Sequence, residues 1–363
     1  MIRRLIRKRR KKIETSLLPV KRLILDGESM VGVDVGSAEG MQPHWQAYEG
    51  LVDIYLFEPH KESFEKLKAS FSTHPHAEMF HIVPIGLSGT GGERTLYMLN
   101  CPTGSSLYPV NGASEFASAD DDYIYPVRET KIQTRSLQEV LDEAGVKSAD
   151  IIKLDVQGAE LEILQGLGDK RRKDLILVEA EVNISGGVTR NFSPYKLAPS
   201  WAQIDEMLVA DGMRLLDISV ARSYRSRGGD SDWYQREVFD VYGNSPSLSA
   251  HVWEADVVYV RDWRALVKDG DALQIRKLAL ALCGYRFFSE AYFLMEKAEE
   301  AGIFDADAAK SVKNAIIVWH RAGRWMWHGR SKTWNQFRRV LRATGMSQLL
   351  RWKQYMWFDY PNG

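Results

Sequence analysis

The chain has 363 residues, 45% of them hydrophobic and 26% charged, which is the balance of a globular protein long enough to bury a core without disulfides. Its two cysteines, Cys101 and Cys283, lack any CxxC or Cys/His spacing, which excludes a disulfide framework and a structural zinc site and suits a cytoplasmic compartment. The net charge of zero hides two basic ends around an acidic middle of net −19 (residues 23–309, 27 basic and 46 acidic), and no apolar run reaches the ~20 residues that a membrane-spanning helix needs.

Residues 1–26 read as a basic segment with no secretory apolar region; Arg3, Arg4 and the run Arg7 to Lys12 carry most of its charge. Such an arm suits an anionic membrane surface or, alternatively, a solvated tail. Residues 27–262 then alternate short apolar runs with amphipathic stretches. Strands are expected at Val31–Val35, Ile54–Phe57, Phe80–Pro84, Arg94–Leu99, Ile151–Leu154, Leu175–Glu179, Arg214–Ile218 and Asp256–Val260. Helices are expected at Lys61–Phe71 and at Ser136–Ala144, where Ser136 and Glu139 form a capping-box pattern and Gly145 marks the stop. The alternation argues for an α/β fold, a doubly wound and mostly parallel sheet. Long polar connections at Pro102–Pro126, Asn183–Pro199 and Ser223–Trp233 are candidates for functional loops. From residue 263 to 363 the pattern is helical only, a C-terminal extension rich in tryptophan and arginine.

Three constellations carry chemistry. The first is Val31-Gly-Val-Asp-Val-Gly-Ser-Ala-Glu-Gly40, a strand running through Asp34 into a turn of small residues, Gly36, Ser37 and Gly40. It lacks the G-x-G-x-x-G spacing of a dinucleotide fingerprint, and Glu39 inside the turn opposes a pyrophosphate but suits a sulfonium cofactor. The second is Glu58 at the end of the next strand, placed to accept both hydroxyls of a ribose or, more plainly, to cap the following helix. The third runs from Ile151 to Gly166: a buried strand ends at Asp155, turns at Gly158 and enters an amphipathic helix. Asp155 is thereby set beside the crevice above the sheet, or serves only as a cap. Glu179 and Glu181 close the next strand and share one face by its period of two. With Asp155 they make a candidate set for general base work or for a divalent ion such as Mg²⁺. His44, His60 and His81 are weaker candidate bases, and no histidine cluster has metal-ligand spacing.

The string Ile-Lys-Leu-Asp-Val-Gln-Gly-Ala-Glu-Leu-Glu-Ile-Leu-Gln-Gly, with its lead-in from Arg135, resembles the signature of FkbM-type methyltransferases. The Val-Asp-Val-Gly turn, Phe-Glu-Pro and Ile-Gly-Leu-Ser-Gly agree with it in order and spacing, over about Val31 to Val260. The resemblance implies an S-adenosylmethionine-dependent O-methyltransferase on a Rossmann-like sheet, with a sugar, glycan or polyketide hydroxyl as acceptor. Asp155, Glu179 and Glu181 are then the candidate catalytic residues, and Asp34, Gly36, Ser37, Gly40, Glu58 and Ser88 the candidate cofactor residues. The chain departs from the pattern at Ala38, at Gln157 where such proteins often carry Glu, and after the third strand, where Ser88 is the nearest polar residue to the adenine place. The basic, Trp-rich ends favour an acceptor carried at a membrane, such as a glycolipid, reached from the cytoplasm by peripheral attachment. The acidic middle speaks against a nucleic-acid substrate. A nucleic-acid or small-molecule methyltransferase, or a non-catalytic membrane-associated protein that kept the fold, are the alternative readings.

Overall fold

The computed structural model describes residues 15–37, 40, 45–100, 102–111, 125–184, 193–223 and 251–322. In chain order its elements are α1 (Leu18–Leu25), β1 (Met30–Val35), β2 (Val52–Phe57), α2 (Lys61–Phe71), β3 (Phe80–Val83), β4 (Gly86–Leu87), β5 (Gly92–Leu99) and β6 (Pro126–Arg135). There follow α3 (Leu137–Glu143), β7 (Ile151–Leu154), α4 (Glu160–Gly166), α5 (Asp169–Asp174), β8 (Leu177–Asn183) and α6 (Trp201–Ala210). The last elements are β9 (Met213–Ser223), β10 (His251–Arg261), α7 (Trp263–Asp269), α8 (Ala272–Gly284) and α9 (Phe288–Glu300), with a further helix over 306–322. The chain divides into two compact units. One holds residues 30–40 and 53–262, the other residues 1–29, 41–52 and 263–363.

The first unit is built on a seven-stranded sheet in the order β3-β2-β1-β7-β8-β10-β9. The pairs β2–β3, β1–β7 and β7–β8 are parallel, and β10 runs antiparallel to both its neighbours. The strand order reverses between β1 and β7, which is where an open α/β sheet opens a ligand crevice beyond its carboxyl ends. One face is apolar along its length because alternate residues are all hydrophobic: Val33 and Val35, Ile152 and Leu154, Val178 and Ala180, Ala255 and Val257. Onto it pack Leu137 and Leu141 of α3, Ile163 and Leu164 of α4, and Ile204 and Leu208 of α6, all buried. α3 begins at the expected capping box: Ser136 Oγ accepts the Glu139 N–H at 3.3 Å, and Glu139 accepts the Ser136 N–H at 3.0 Å.

Two expectations change. The Arg94–Leu99 run is a strand, β5, but it belongs to a separate three-stranded sheet, β4-β6-β5. Its partner β6 carries almost no apolar pattern, since most of its residues face solvent. Arg94 ties this small sheet to α4 through Glu162 at 2.9 Å, and Glu162 also accepts the Gly89 N–H. The run expected at Leu175–Glu179 forms its strand two residues later, so Glu179 and Glu181 lie within β8 rather than at its end.

The second unit is helical. Arg276 of α8 meets the last turn of α1, donating to the Leu23 and Ile24 carbonyls and pairing with Asp26 at 3.2 Å, where a cation suits the helix C-terminus. A single 3₁₀ turn, Trp45–Tyr48, joins these helices: the Tyr48 hydroxyl donates to the Ala281 carbonyl at 2.7 Å. Trp319 is buried and lies under Lys21 at 4.6 Å. Trp325, Trp327, Trp334, Trp352 and Trp357, like the basic run before residue 13, lie outside the described residues. Among the described residues no helix is long and apolar enough to cross a membrane.

Candidate active site

The turn after β1 is shaped by one glycine. Gly36 adopts φ +89°, and a Cβ built there would lie 1.9 Å from the Asp155 carbonyl oxygen, so only glycine lets the ends of β1 and β7 approach this closely. The Gly36 and Ser37 N–H groups both point at the Phe57 carbonyl, at 3.4 and 3.5 Å, which links the same turn to the end of β2. Ser37 Oγ donates to the Asp34 carbonyl at 2.9 Å, and the Gly40 N–H donates to the Ser37 carbonyl at 2.9 Å. Glu58 follows β2 and is 5% exposed. Burial raises its carboxyl above the ordinary range, against the His60 N–H that it accepts at 2.8 Å. Asp34, Gly36, Ser37, Gly40 and Glu58 are therefore gathered at the carboxyl ends of adjacent strands. Ser88 is placed differently: it is buried beyond β4, and its hydroxyl is engaged by Thr134 Oγ1 at 2.8 Å and by the Gly91 N–H at 3.1 Å.

The polar face of the sheet carries a row of charge across its middle strands. Asp34 of β1, Lys153 of β7 and Glu179 of β8 are register neighbours. Lys153 is buried, and its Nζ lies 3.1 Å from Asp155 Oδ2. Burial alone would lower this ammonium, but Asp155, Asp34 and Glu179 hold it above its ordinary value. Glu181 pairs in register with Asp256 on β10, and Glu254 lies one step further along. Burial first, then Asp155, Glu254 and Asp256, push Glu181 well up. Burial raises Glu254 to about 8, although its hydrogen bond with Glu181 pulls the other way. Asp256 is also raised, by desolvation first and then by Glu179 and Asp155, against the pull of the Lys153 ammonium.

The turn after Asp155 is held from three sides. Gly158 has φ +115°, and a Cβ there would press on Ala198 at 3.0 Å. Glu160, 1% exposed, accepts the Val156 N–H at 3.1 Å and the Gly158 N–H at 3.0 Å, and burial raises it to about 7. The long connections 102–111 and 193–200 meet over this turn: Val110 bridges Tyr195, and the Asn111 N–H donates to the Pro194 carbonyl at 2.8 Å. Ser106 Oγ donates to the Gln157 carbonyl at 2.6 Å, and Tyr195 OH reaches both the Gly104 carbonyl at 2.8 Å and Gln157 Oε1 at 2.9 Å.

Lys153, Glu160, Tyr195 and Glu254 are thus parts of the site that the motifs did not single out, and Gln157, noted only as a departure from the family pattern, belongs to it as well. One signal was available: a lysine in the apolar run Ile-Ile-Lys-Leu of a central strand demands a buried counter-charge. His60 contacts Ser63 at 3.3 Å, and His81 stacks on Tyr55 and faces Asp53 at 3.6 Å. His44 lies outside the described residues, as do Ala38 and Glu39. Among the described residues no group of three His, Cys, Asp or Glu side chains is arranged to hold a metal ion.

A reversal of strand order between β1 and β7, with Glu58 just after the second strand and Asp155 just after the fourth strand of the large sheet, fits the sequence family whose model matches residues 34–215, the methyltransferase FkbM domain. The chain belongs to the FkbM methyltransferase family. Its methyltransferase unit is the mostly parallel, Rossmann-like sheet described above, and the family uses S-adenosylmethionine as methyl donor. Similar solved structures include the FkbM methyltransferase of Methylobacillus flagellatus KT, at 12% identity and a TM-score of 0.34 over 64% of this chain. This chain spans 43% of that protein's length. Magnesium protoporphyrin IX methyltransferase of Synechocystis PCC 6803, solved with bound SAH, aligns at 10% identity and a TM-score of 0.30, covering 72% of this chain and 87% of its own. A Streptococcus pneumoniae protein described as a putative tRNA (m1A22) methyltransferase, in complex with S-adenosyl-L-methionine, aligns at 11% and 0.28, covering 83% and 98%. At these scores the likenesses add nothing to the family assignment, which rests on the family match. No curated protein matches the chain.

Proposed function

We propose that this FkbM methyltransferase is an O-methyltransferase that acts on a hydroxyl of a sugar, glycan or glycolipid precursor. The observation that carries the reading is the meeting of Gly36 with the Asp155 backbone, beside the buried Glu58, at the point where strand order reverses. The residues present fit the donor. A glycine turn held against the Asp155 backbone, with a buried carboxylate just after the neighbouring strand, suits a nucleoside with an amino-acid head. Gly36, Ser37 and Gly40 would hold the head group, Glu58 the ribose, and Asp34 the turn itself. When bound, the donor supplies an electrophilic methyl group to a nucleophilic oxygen.

The chain's own residues do the rest. Asp155, on the acceptor side of the crevice, takes the hydroxyl proton at its carboxylate, a contribution of about 10²–10⁴-fold for a placed base. Lys153, donating to Oδ2, orients that carboxylate. Glu181 and Glu179 line the same face of β8 beyond it. The paired connections 102–111 and 193–200 shield the acceptor from water.

The acidic middle disfavours a nucleic-acid acceptor, and the basic ends support peripheral attachment to an anionic membrane from the cytoplasmic side, with a lipid-carried acceptor. The test is an acceptor screen by mass spectrometry, in which the donor and candidate sugars, glycolipids and RNAs are incubated with the protein. A gain of one methylene unit on a sugar or glycolipid supports the reading; methylation of RNA alone overturns it. Sedimentation with anionic liposomes at low and high salt checks the membrane part separately.

A further inference from the structure

Asp155, just past the end of β7, and Glu181, within the adjacent parallel strand β8, lie together on the polar face, and two carboxylates so placed need a proton, a cation or a shared donor between them. Here the shared donor is an amide. Gln157 Nε2 donates to Asp155 Oδ1 at 3.1 Å and to Glu181 Oε1 at 2.6 Å, which uses both of its hydrogens. The other end of the amide is held by Tyr195 OH at 2.9 Å, and the Gln157 carbonyl by Ser106 Oγ at 2.6 Å. Gln157 keeps φ +58°, a conformation that side chains other than glycine seldom adopt, so the contacts around it over-determine its place. The second oxygen of Asp155 is engaged by the Lys153 ammonium at 3.1 Å.

A divalent ion binds oxygen ligands with free lone pairs. The Nε2 group offers hydrogens and no lone pair, and the adjacent ammonium repels a cation. Turning the amide over would set Oε1 against two carboxylates. The set Asp155, Glu179 and Glu181 therefore does not fit the Mg²⁺ that its composition suggests.

We propose that Gln157 is a positioning residue whose carboxamide orients Asp155 and Glu181 in the place a divalent cation would take, so that methyl transfer needs no metal. The final clause rests on the methyltransferase reading above; the placement of the amide does not.

Mn²⁺ alone is titrated into the full chain near neutral pH, with free Mn²⁺ followed by electron paramagnetic resonance. The wild type is expected to bind no stoichiometric Mn²⁺. Gln157→Glu replaces the donor with a third carboxylate and should bind one Mn²⁺ at least about tenfold more tightly. Adding Asp155→Asn to that variant should abolish the gain. One tightly held Mn²⁺ on the wild type, removed by Asp155→Asn, overturns the proposal, as does a folded Gln157→Glu protein that gains nothing. Gln157→Gly suits the left-handed backbone and guards against a misfolded glutamate variant. In it, hydrogen exchange over 193–200 should rise, whereas exchange equal to wild type overturns the positioning role. S-adenosylhomocysteine titrated into the same preparation tests the cofactor reading by itself, so failure there leaves the Mn²⁺ result to decide this one.

Discussion

Replacing Lys153 with methionine keeps the length of the apolar stem and deletes the ammonium that faces Asp155, Asp34 and Glu179. The lysine side chain is 7% exposed and its Asp155 partner 29% exposed, with 3.1 Å between Nζ and Oδ2. Breaking a fully buried pair costs about 3–5 kcal/mol and an exposed one about 0–1 kcal/mol, so a partner open on one side sets the expected loss at about 2–4 kcal/mol. For a unit of this size that is a fall of roughly 5–15 °C in the melting temperature. The sign with pH follows from the shift. The raised lysine contributes stability at every pH below the ordinary lysine value and loses it only above its raised folded value, so the full loss appears across the neutral range. Thermal melts of both proteins in neutral buffer check this. Equal melting temperatures would refute the counter-charge role.

Gly36→Ala should destabilise the chain by about 2–5 kcal/mol, from left-handed strain plus displacement of the Asp155 backbone. A wild-type melting temperature would show that the turn yields freely. Glu160, raised to about 7, and Glu254, raised to about 8, hold protons in the folded state that the unfolded chain has released. Stability should therefore fall as pH rises from about 4.5 to about 8 and level off above, with Glu160 accounting for a loss of the order of 3 kcal/mol. Melts across that range should show a shallower slope for Glu160→Gln; an identical slope removes Glu160 from the account.

Most of the large sheet was legible because its central strands carry Val, Ile, Leu or Ala along the covered face, while Asp34, Lys153, Glu179 and Glu181 alternate onto the other. α2 and α3 were legible from helical spacing and from the Ser136 cap. β6 was not, because an exposed strand needs no apolar alternation and Pro126–Arg135 shows little. Of the site, the acids at strand ends could be read from motif and spacing. The donors that hold them could not: Gln157 meets Glu181 across β7 and β8, and Tyr195 reaches it from a loop 38 residues on. Those contacts depend on strand order, which pairs residues distant in sequence. The same holds for Tyr48, whose bond to the Ala281 carbonyl places the turn Trp45–Tyr48 with the C-terminal helices although it falls between β1 and β2.

The central claim is that the crevice beyond β1, β2 and β7 holds the methyl donor, with Glu58 on its ribose. Isothermal titration calorimetry with S-adenosylhomocysteine, on the wild type and on Glu58→Ala, tests it most directly. One site is expected on the wild type, with affinity lowered about ten- to a hundredfold in the variant, the loss of about 1.5–3 kcal/mol from bonds to a charged group. No binding to the wild type, or equal affinity in a folded Glu58→Ala protein, would contradict the account.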